Sequence, residues 1–362
     1  MKAIATCIKN LEFVTQKEIK EILKLNSNII YPGRVEFEVK EEDLAKLIYY
    51  SRSTFKAYSL IDLIEFNSKE EILEKIKKLN FSYLKDTFVV RCERSGNPNF
   101  SSLNIEKEAG AIILNKTNLK VDLENATTTI IIDIINNMCF IGIDFTGIKL
   151  SKRDYRIKLL SNSINPCLAY SLLRIADYSH SDSLLDPFCK SGEILIEAAQ
   201  YALKIPNCLR LEEKLLYKKL INIKFKDTTI NKKLKLNAID NFQNSLVCAE
   251  INYKIGLIKD QINFSKLEIE WLDTKFEKES IDKIVTFPPY PTISLPLKKL
   301  EKIYKELFYQ LEFILNKNGK IVILTPIPEI LEKFSLSHKL KKEEEIKIDY
   351  NNQPFSILKF KK

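Results

Sequence analysis

The sequence predicts an α/β protein whose C-terminal part is a doubly wound, mostly parallel sheet. Three observations carry that prediction. From residue 165 onward, short apolar runs alternate with amphipathic helical segments, the pattern of strand–helix–strand units. Several runs close on an aspartate followed by a loop and a helix start, as Leu184-Leu185-Asp186 does; strand carboxyl ends are where such sheets hold ligands. Residues 1–150 have a different texture, with β-rich runs at 127–135 and 138–143 around the turn Asn136-Asn137, a hairpin signal.

The elements follow in order. Residues 1–60 read β-α-β-α: a strand at 3–7, a helix at 11–25 with apolar positions at Leu11, Val14, Ile19, Ile22 and Leu23, an alternating strand at 34–39 and a helix at 41–50. A third strand is predicted near 57–63. Ser68 and Glu71 are spaced as a capping box for the next helix. Residues 87–93 form a strand, a polar Ser-Gly-Asn-Pro-Asn loop follows, and a helix runs over 102–117. In the second half, helix 167–178 leads to strand 183–186, helix 192–203, strand 235–239 ending in Asp240, and helix 244–256. A strand at 267–272 ends in Asp273, and a strand at 281–286 ends in Phe287-Pro288-Pro289-Tyr290. Helix 297–315, strand 320–325 and a hairpin around Asn351-Asn352 complete the chain.

Composition excludes several classes. With 362 residues, 45% of them hydrophobic, the chain can bury a large core and is not disordered. Only 8 Gly and 12 Pro exclude collagen-like or linker character. No apolar run approaches the roughly 18–20 residues of a membrane span. Met1–Thr6 lacks a signal-peptide hydrophobic region, so a cytoplasmic location is expected. The seven cysteines are scattered without a C-x-x-C pair, which favours reduced buried thiols. His180 and His338 are far apart, so no metal site is expected.

Charge is uneven. Residues 1–150 hold 21 basic and 21 acidic side chains, whereas 152–235 hold 16 basic against 9 acidic. A basic stretch suits a polyanion such as nucleic acid; an ordinary solvated lysine surface accounts for it equally well.

Three acidic strand ends and a rigid Pro-Pro-Tyr turn on one edge suit a nucleoside bearing an amino acid. Asp240, closing the second strand, can accept ribose hydroxyls, and Asp273 can accept an adenine amino proton. Asp186, followed by the loop holding Gly192, can meet a ligand ammonium. Together they describe a site expected to take S-adenosylmethionine. Each aspartate alone reads better as a helix N-cap; their joint spacing shifts the balance to the ligand. Asp240 and Asn252 stand twelve apart with a helix between them.

Asp186-Pro187-Phe188-Cys189-Lys190-Ser191-Gly192-Glu193, continuing to Ile196-Glu197-Ala198-Ala199, resembles the D-P-F-C-G-S-G-T-x-x-I-E-A-A motif of Rossmann-like RNA methyltransferases. Phe287-Pro288-Pro289-Tyr290 resembles their [N/D]-P-P-Y motif, and Lys152-Arg153-Asp154-Tyr155-Arg156 with Pro166 resembles their linker and first helix. Phe88-Val89-Val90-Arg91, Asn99-Phe100-Ser101-Ser102, Glu106–Gly110 and Lys120-Val121-Asp122-Leu123 resemble a THUMP domain. The whole is similar to archaeal THUMP-containing tRNA guanosine-N2 methyltransferases. The resemblance implies three parts: a ferredoxin-like module at 1–62, THUMP at 63–148 and a methyltransferase domain at 149–362. It implies tRNA as partner, with Arg91, Arg94, Asn99, Lys152 and Arg153 on RNA. It implies, too, that Pro166, Asp186, Phe188, Gly192, Asp240 and Asp273 hold the cofactor, and that Phe287, Pro288, Pro289 and Tyr290 form the catalytic turn.

Two positions depart from the family pattern. Lys190 replaces a glycine, at a cost of about 1–2 kcal/mol if the backbone there is left-handed, and can pair with the cofactor carboxylate. Phe287 replaces Asn or Asp and cannot accept a hydrogen bond. Glu193 for Thr and Pro291 for Gly are milder changes. Three readings stay open: an active tRNA methyltransferase using backbone carbonyls and Thr286 or Tyr290 as acceptors; a weak or inactive tRNA-binding paralogue working beside a protein partner; and a methyltransferase acting on another RNA.

Overall fold

A computed structural model describes every residue except 82, 83, 85, 97, 98, 118 and 294. Asn97 and Pro98 of the expected polar loop therefore lie outside the described residues. The chain divides into two units: Met1–Cys7, Gln16–Leu150 and Cys208–Lys226 form the first, and Ile8–Thr15, Ser151–Asn207 and Asp227–Lys362 form the second.

The first half of the chain runs β1 (Lys2–Thr6), α1 (Glu12–Leu23), β2 (Asn28–Tyr31), β3 (Arg34–Glu38), α2 (Glu41–Tyr50) and β4 (Lys56–Glu65). It continues with α3 (Lys69–Lys78), β5 (Thr87–Ser95), α4 (Ser102–Lys116), β6 (Lys120–Val121), β7 (Thr128–Ile135) and β8 (Met138–Asp144). Its strands make one eight-stranded sheet, β2-β3-β1-β4-β8-β7-β5-β6. The strand expected near 57–63 is the longer β4, which pairs with β1 on one side and β8 on the other. The backbone therefore does not break at 62/63, because β4 hydrogen-bonds both halves. Strands β2 and β6 were not anticipated; they are short edge strands, with little internal periodicity to reveal them. Ser68 caps α3 by accepting from the Glu71 amide, and Ser101 caps α4 by accepting from Asn104.

Two buried ion pairs tie this sheet together. Arg34 donates two hydrogen bonds, of 2.6 and 2.7 Å, to Asp133, whose carboxylate also accepts from the Tyr58 hydroxyl at 2.8 Å. Lys56 bridges Asp144 and Glu93 at 3.1 and 2.7 Å. Residues Cys208–Lys226, carrying α7 (Tyr217–Leu220), pack on the same unit. The Cys208 amide donates to the Tyr49 carbonyl, and Phe225 lies 5.1 Å from the Tyr49 ring. The basic stretch 152–235 is thus divided between the units rather than belonging to one body.

The second unit carries α5 (Pro166–Ile175), β9 (Ser183–Asp186), α6 (Glu193–Ala202), β10 (Lys235–Asp240), α8 (Gln243–Ile255), β11 (Ile262–Lys266) and α9 (Leu272–Lys275). Then come β12 (Ile281–Thr286), α10 (Leu297–Ile314), β13 (Leu315–Thr325), α11 (Pro328–Ser335), β14 (Lys341–Tyr350) and β15 (Gln353–Lys361). The sheet order is β11-β10-β9-β12-β13-β15-β14, parallel from β11 to β13 and antiparallel at the β15 and β14 edge. One face is covered by α10, whose Leu300, Tyr304, Leu307, Phe308, Leu311 and Ile314 recur at helical spacing and are fully buried. All ten residues of α5 are buried, as is most of α6.

One expected strand is displaced. Residues 267–272 are not a strand; the edge strand is β11, five residues earlier in the chain. The alternation of Leu267, Ile269 and Trp271 imitates a strand. These residues instead form a 3-10 turn leading into α9, held by Gln310 of α10, which donates to the Glu270 carbonyl and accepts from the Asp273 amide. The edge strand, Ile-Asn-Phe-Ser-Lys, is too short and polar to stand out.

Gly142 of β8 permits the close approach of β4. A Cβ there would lie 2.1 Å from the Ser59 carbonyl oxygen and 2.8 Å from the Tyr58 ring. Gly142→Ala should destabilise the first unit by about 3 kcal/mol through overpacking, read as a lower urea midpoint in circular dichroism; an unchanged midpoint would show that the strands separate without cost.

Candidate active site

The order of the second sheet reverses direction at β9, with β10 on one side and β12 on the other. The crevice at their carboxyl ends is the switch point where doubly wound sheets bind ligands. The turn after β9 forms one wall. Gly192 has φ +87°, and a Cβ there would lie 3.1 Å from that of Ala249, so α6 can start this close to α8 only with glycine. Asn252, fully buried in α8, holds the turn. Its amide donates to the Ser191 and Lys158 carbonyls, and its oxygen accepts from the Ile157 and Lys158 amides. The sequence marks Asn252 only by its spacing from Asp240.

Asp186 and Asp240 stand at adjacent strand ends, both buried. Asp186 Oδ1 accepts from the Phe188 amide at 3.2 Å and from the Thr286 hydroxyl at 2.7 Å. Burial pushes its carboxyl up to about 7, against those hydrogen bonds and the attraction of Lys190. Thr286, fully buried, thus gives its one hydroxyl proton to Asp186 and keeps only its oxygen lone pairs. Asp240 accepts from the Lys190 and Phe242 amides at 3.0 and 2.9 Å. Asp273 corrects an expectation: with β11 ending at Lys266, it sits exposed on α9 and closes no strand. The acid just past the β11 end is Glu268, exposed, and Leu267 donates its amide to the Asp240 carbonyl. Phe242, beside Asp240, is 67% exposed. Sequence reasoning missed both; an aromatic residue two positions after a strand-end acid was the available signal. Pro166 opens α5 behind its cap Asn165, and Phe188 packs partly into the core shared with α10.

The other wall is the Phe287-Pro288-Pro289-Tyr290 turn. Phe287 is buried and lies parallel to the Tyr290 ring, 5.4 Å between centroids at 11°. One face of Tyr290 is thus covered by Phe287, and the Phe355 ring stands at 85° to it, 5.9 Å between centroids. The Tyr304 hydroxyl donates to the Pro289 carbonyl.

Lys190 joins the walls. Its φ is +50°, the left-handed backbone for which the resemblance implies glycine. Its side chain is 8% exposed, and its ammonium rests 3.5 Å from the centre of the Phe287 ring. The ammonium makes no hydrogen bond among the described residues. Burial pulls it down to about 8, against the attraction of Asp186, Glu193 and Asp240.

The expected RNA contacts separate into different places. Arg153 is not on the surface. Its guanidinium is buried and donates to both oxygens of Glu197 at 2.8 and 3.3 Å, with the Tyr155 hydroxyl donating to the same carboxylate at 2.9 Å. The planar fork suits a buried carboxylate, so Arg153 is a structural partner of α6; the neighbouring Lys152 is exposed. In the first unit Arg91 and Arg94 are exposed on β5, Arg91 donating to the Leu123 carbonyl at 2.6 Å. Arg91 lines a cleft with Lys56 and Lys219. Asn99 lines a different and larger one, about 850 Å³, with Phe66, Lys69, Phe100 and Asn137.

A switch-point crevice walled by a glycine turn and a proline–aromatic turn, in a chain whose first half forms a separate α/β unit, defines a Rossmann-like methyltransferase fold with an N-terminal appendage. The chain belongs to the RMKL-like methyltransferase domain family, whose pattern matches residues 153–353, and residues 66–144 match the THUMP domain. It is 28% identical to a tRNA (guanine(6)-N2)-methyltransferase of Archaeoglobus fulgidus over 89% of this chain and 82% of that one. It is 26% identical to a protein of the same name from Methanocaldococcus jannaschii over 96% of both. The structure of TrmN from Thermus thermophilus superposes with a TM-score of 0.74 at 22% identity, covering 100% of this chain and 99% of that one. No described helix is long and apolar enough to cross a membrane.

Two stability predictions follow from this geometry. Arg153→Ala removes the guanidinium that pairs with the buried Glu197 and should cost about 3–5 kcal/mol in a denaturant melt; a loss under 1 kcal/mol would mean that water reaches Glu197. The raised Asp186 carboxyl binds its proton in the folded chain while the unfolded one has released it. Stability should therefore fall as pH rises from about 4 to 7. Asp186→Asn keeps the Oδ1 acceptor used by Thr286 and Phe188, should flatten that slope, and should be more stable than wild type at pH 8 by on the order of 2 kcal/mol. An unchanged slope would assign it to other groups.

Proposed function

We propose that this chain is an S-adenosylmethionine-dependent tRNA methyltransferase, acting in the cytosol on N2 of a guanosine in or next to the acceptor stem. The position named for both curated relatives makes nucleotide 6 the first to examine. The observation that carries the reading is the Pro-Pro-Tyr turn at the end of β12, facing the Asp186–Gly192 turn across the switch point. We take 1–62 and 63–148 as the tRNA-gripping modules and 149–362 as the transferring one.

The residues fit the cofactor. Asp240 and Glu268 offer carboxylates to a ribose and an adenine amino group, Phe242 offers a ring face, and the turn at Gly192 leaves backbone free of side chain. Asp186 supports Phe188 and Thr286 rather than projecting into solvent. The Lys190 ammonium, buried on the Phe287 ring, is an orphaned polar atom at this site, without a hydrogen-bond partner among the described residues. When bound, the cofactor supplies a methyl group on a sulfonium.

A guanine amino group is a poor nucleophile, because its lone pair is delocalised into the ring. The Phe287 and Pro288 carbonyls accept hydrogen bonds from its two N–H groups and turn the lone pair out of conjugation, and the proton displaced by the methyl group leaves to water; the Pro289 carbonyl is engaged by Tyr304. The uncovered face of Tyr290 stacks on the base, which must first leave its stem at a cost of a few kcal/mol. With no side-chain acceptor at Phe287, turnover is slowed by roughly 10²–10³ relative to a site that has one.

A second reading has its own support: Lys190 spans the crevice onto Phe287. In it the chain binds tRNA, and a separate protein performs the transfer.

Methyl transfer from labelled cofactor to tRNA, with nucleoside mass spectrometry, separates the two. Expected are slow formation of N2-methylguanosine, a rate increase with Phe287→Asn and at least a roughly tenfold loss with Tyr290→Ala. Binding of tRNA should weaken when its 3′ end is trimmed. Lys152→Ala should lower the slope of log K against log salt by about one unit. No transfer by wild type or by a Lys190→Gly, Phe287→Asn double variant, on a tRNA that binds, would reject the enzyme in favour of the second reading.

A further inference from the structure

Stacking on Tyr290 holds any flat base, and the Phe287 and Pro288 carbonyls accept from any exocyclic amino group. Neither contact tells guanine from another base that carries an amino group. Guanine differs along the edge beside that group, where N1 carries a hydrogen and O6 accepts one. A residue that reads this edge presents a donor and an acceptor together, as a side-chain amide does.

The C-terminal hairpin brings such an amide to the catalytic turn. β15 pairs antiparallel with β13, Ser356 against Thr325, and β13 runs parallel to β12. The first residues of β15 therefore stand at the carboxyl edge of the sheet, where the Pro-Pro-Tyr turn leaves β12. Phe355 is buried there, its ring centre 5.8 Å from that of Phe287 and 5.9 Å from that of Tyr290. Tyr350 of β14 closes on Phe355 at 5.5 Å, and its hydroxyl accepts from the Asn165 amide at 3.0 Å. Asn351 and Asn352, with φ of +53° and +60°, make the tight two-residue turn. Within the same unit, Asn10 donates to the Lys347 carbonyl at 2.8 Å and Lys9 pairs with Asp349 at 3.3 Å. The hairpin is thus pinned on both flanks of its turn. Side chains alternate along a strand, and the register sets Gln353 opposite Tyr350. Gln353 therefore belongs to the face that carries Phe355 and Tyr350, roughly 7 Å along the strand from Phe355. It is exposed, and its amide makes no hydrogen bond among the described residues.

We propose that Gln353 is the specificity-determining residue for the base: its amide oxygen accepts from N1–H, and its amide nitrogen donates to O6, of a guanine stacked on Tyr290. The inference rests on the methyltransferase reading proposed above. Phe355 and Tyr350 are the frame that positions Gln353. An adenine with its amino group in the same place offers a bare N1 and then a C–H, so it satisfies at most one end of the amide.

The test compares methyl transfer by the full chain to two tRNAs that differ only at the nucleotide the wild type modifies, one carrying guanine and the other 2-aminopurine. 2-Aminopurine keeps the amino group that receives the methyl and lacks both O6 and the hydrogen on N1. Wild type should favour guanine in kcat/KM. Gln353→Met keeps the length of the side chain without the amide, and should shrink that preference by about tenfold or more. The change should come from slower transfer to guanine, with transfer to 2-aminopurine staying within about threefold of wild type. Setting the variant's preference against the wild type's cancels the different reactivities of the two amino groups. Gln353→Ala should behave as Gln353→Met does, and as an exposed position it tolerates both changes in folding. Equal losses on both bases would make Gln353 a structural residue and overturn the proposal. An unchanged preference would overturn it as well, leaving the methyltransferase reading standing. If the wild type modifies no nucleotide of a tRNA that it binds, the enzyme reading itself falls, and the base reading with it.

Discussion

Four hydrogen bonds from one fully buried amide, Asn252, hold the turn that everything else at the site depends on. An amide removed from water must satisfy both its ends, and Asn252 does so only if residues 157–158 and Ser191 come to it. That requirement brings the linker and the turn after β9 together behind the crevice. Buried charges extend the same constraint. Glu197 is secured by Arg153 and Tyr155, and Glu193 accepts from Ser191 while lying 3.4 Å from Arg156. The motif residues that look most available for chemistry in the sequence are largely occupied in holding this turn still.

The crevice itself then follows from sheet order. Parallel strands buried on both faces read as apolar runs, and their carboxyl ends are forced to one edge. Asp186 and Asp240 meet there because β9 and β10 are neighbours. The Pro-Pro-Tyr turn faces them because β12 lies on the other side of β9. Between the walls, Lys190 and Phe287 replace a gap and an acceptor with a cation and a ring, so this member of the family has altered the centre of the site while keeping its frame.

Much of this was legible in the residues. Strand–helix alternation, the aspartate-ended strands and the two motif turns are local signals, decided by side-chain period and by glycine and proline at fixed offsets. They located β9, β10, β12, α6 and α8 to within a residue or two. Where local signals mislead, a neighbour is responsible. Leu267, Ile269 and Trp271 alternate like a strand, yet the hydrogen-bonding of Gln310 winds them into a turn, and Asp273 leaves the row of strand-end acids as a result.

The class of fold, the two motif turns and the family they resemble are written in the chain alone, because each depends on residues within about fifteen positions of one another. Tertiary structure alone decided which charges remain available. Arg153 is indistinguishable from Lys152 as a basic residue until Glu197, forty-four positions away, draws its guanidinium into the core. Thr286 looks like a free hydroxyl until Asp186, a hundred positions earlier, takes its hydrogen bond. Lys190 and Phe287 look like two independent losses until strand order sets one upon the other. Pairing of buried polar groups depends on distance in space, and a one-dimensional chain carries no record of that distance until the sheet has formed.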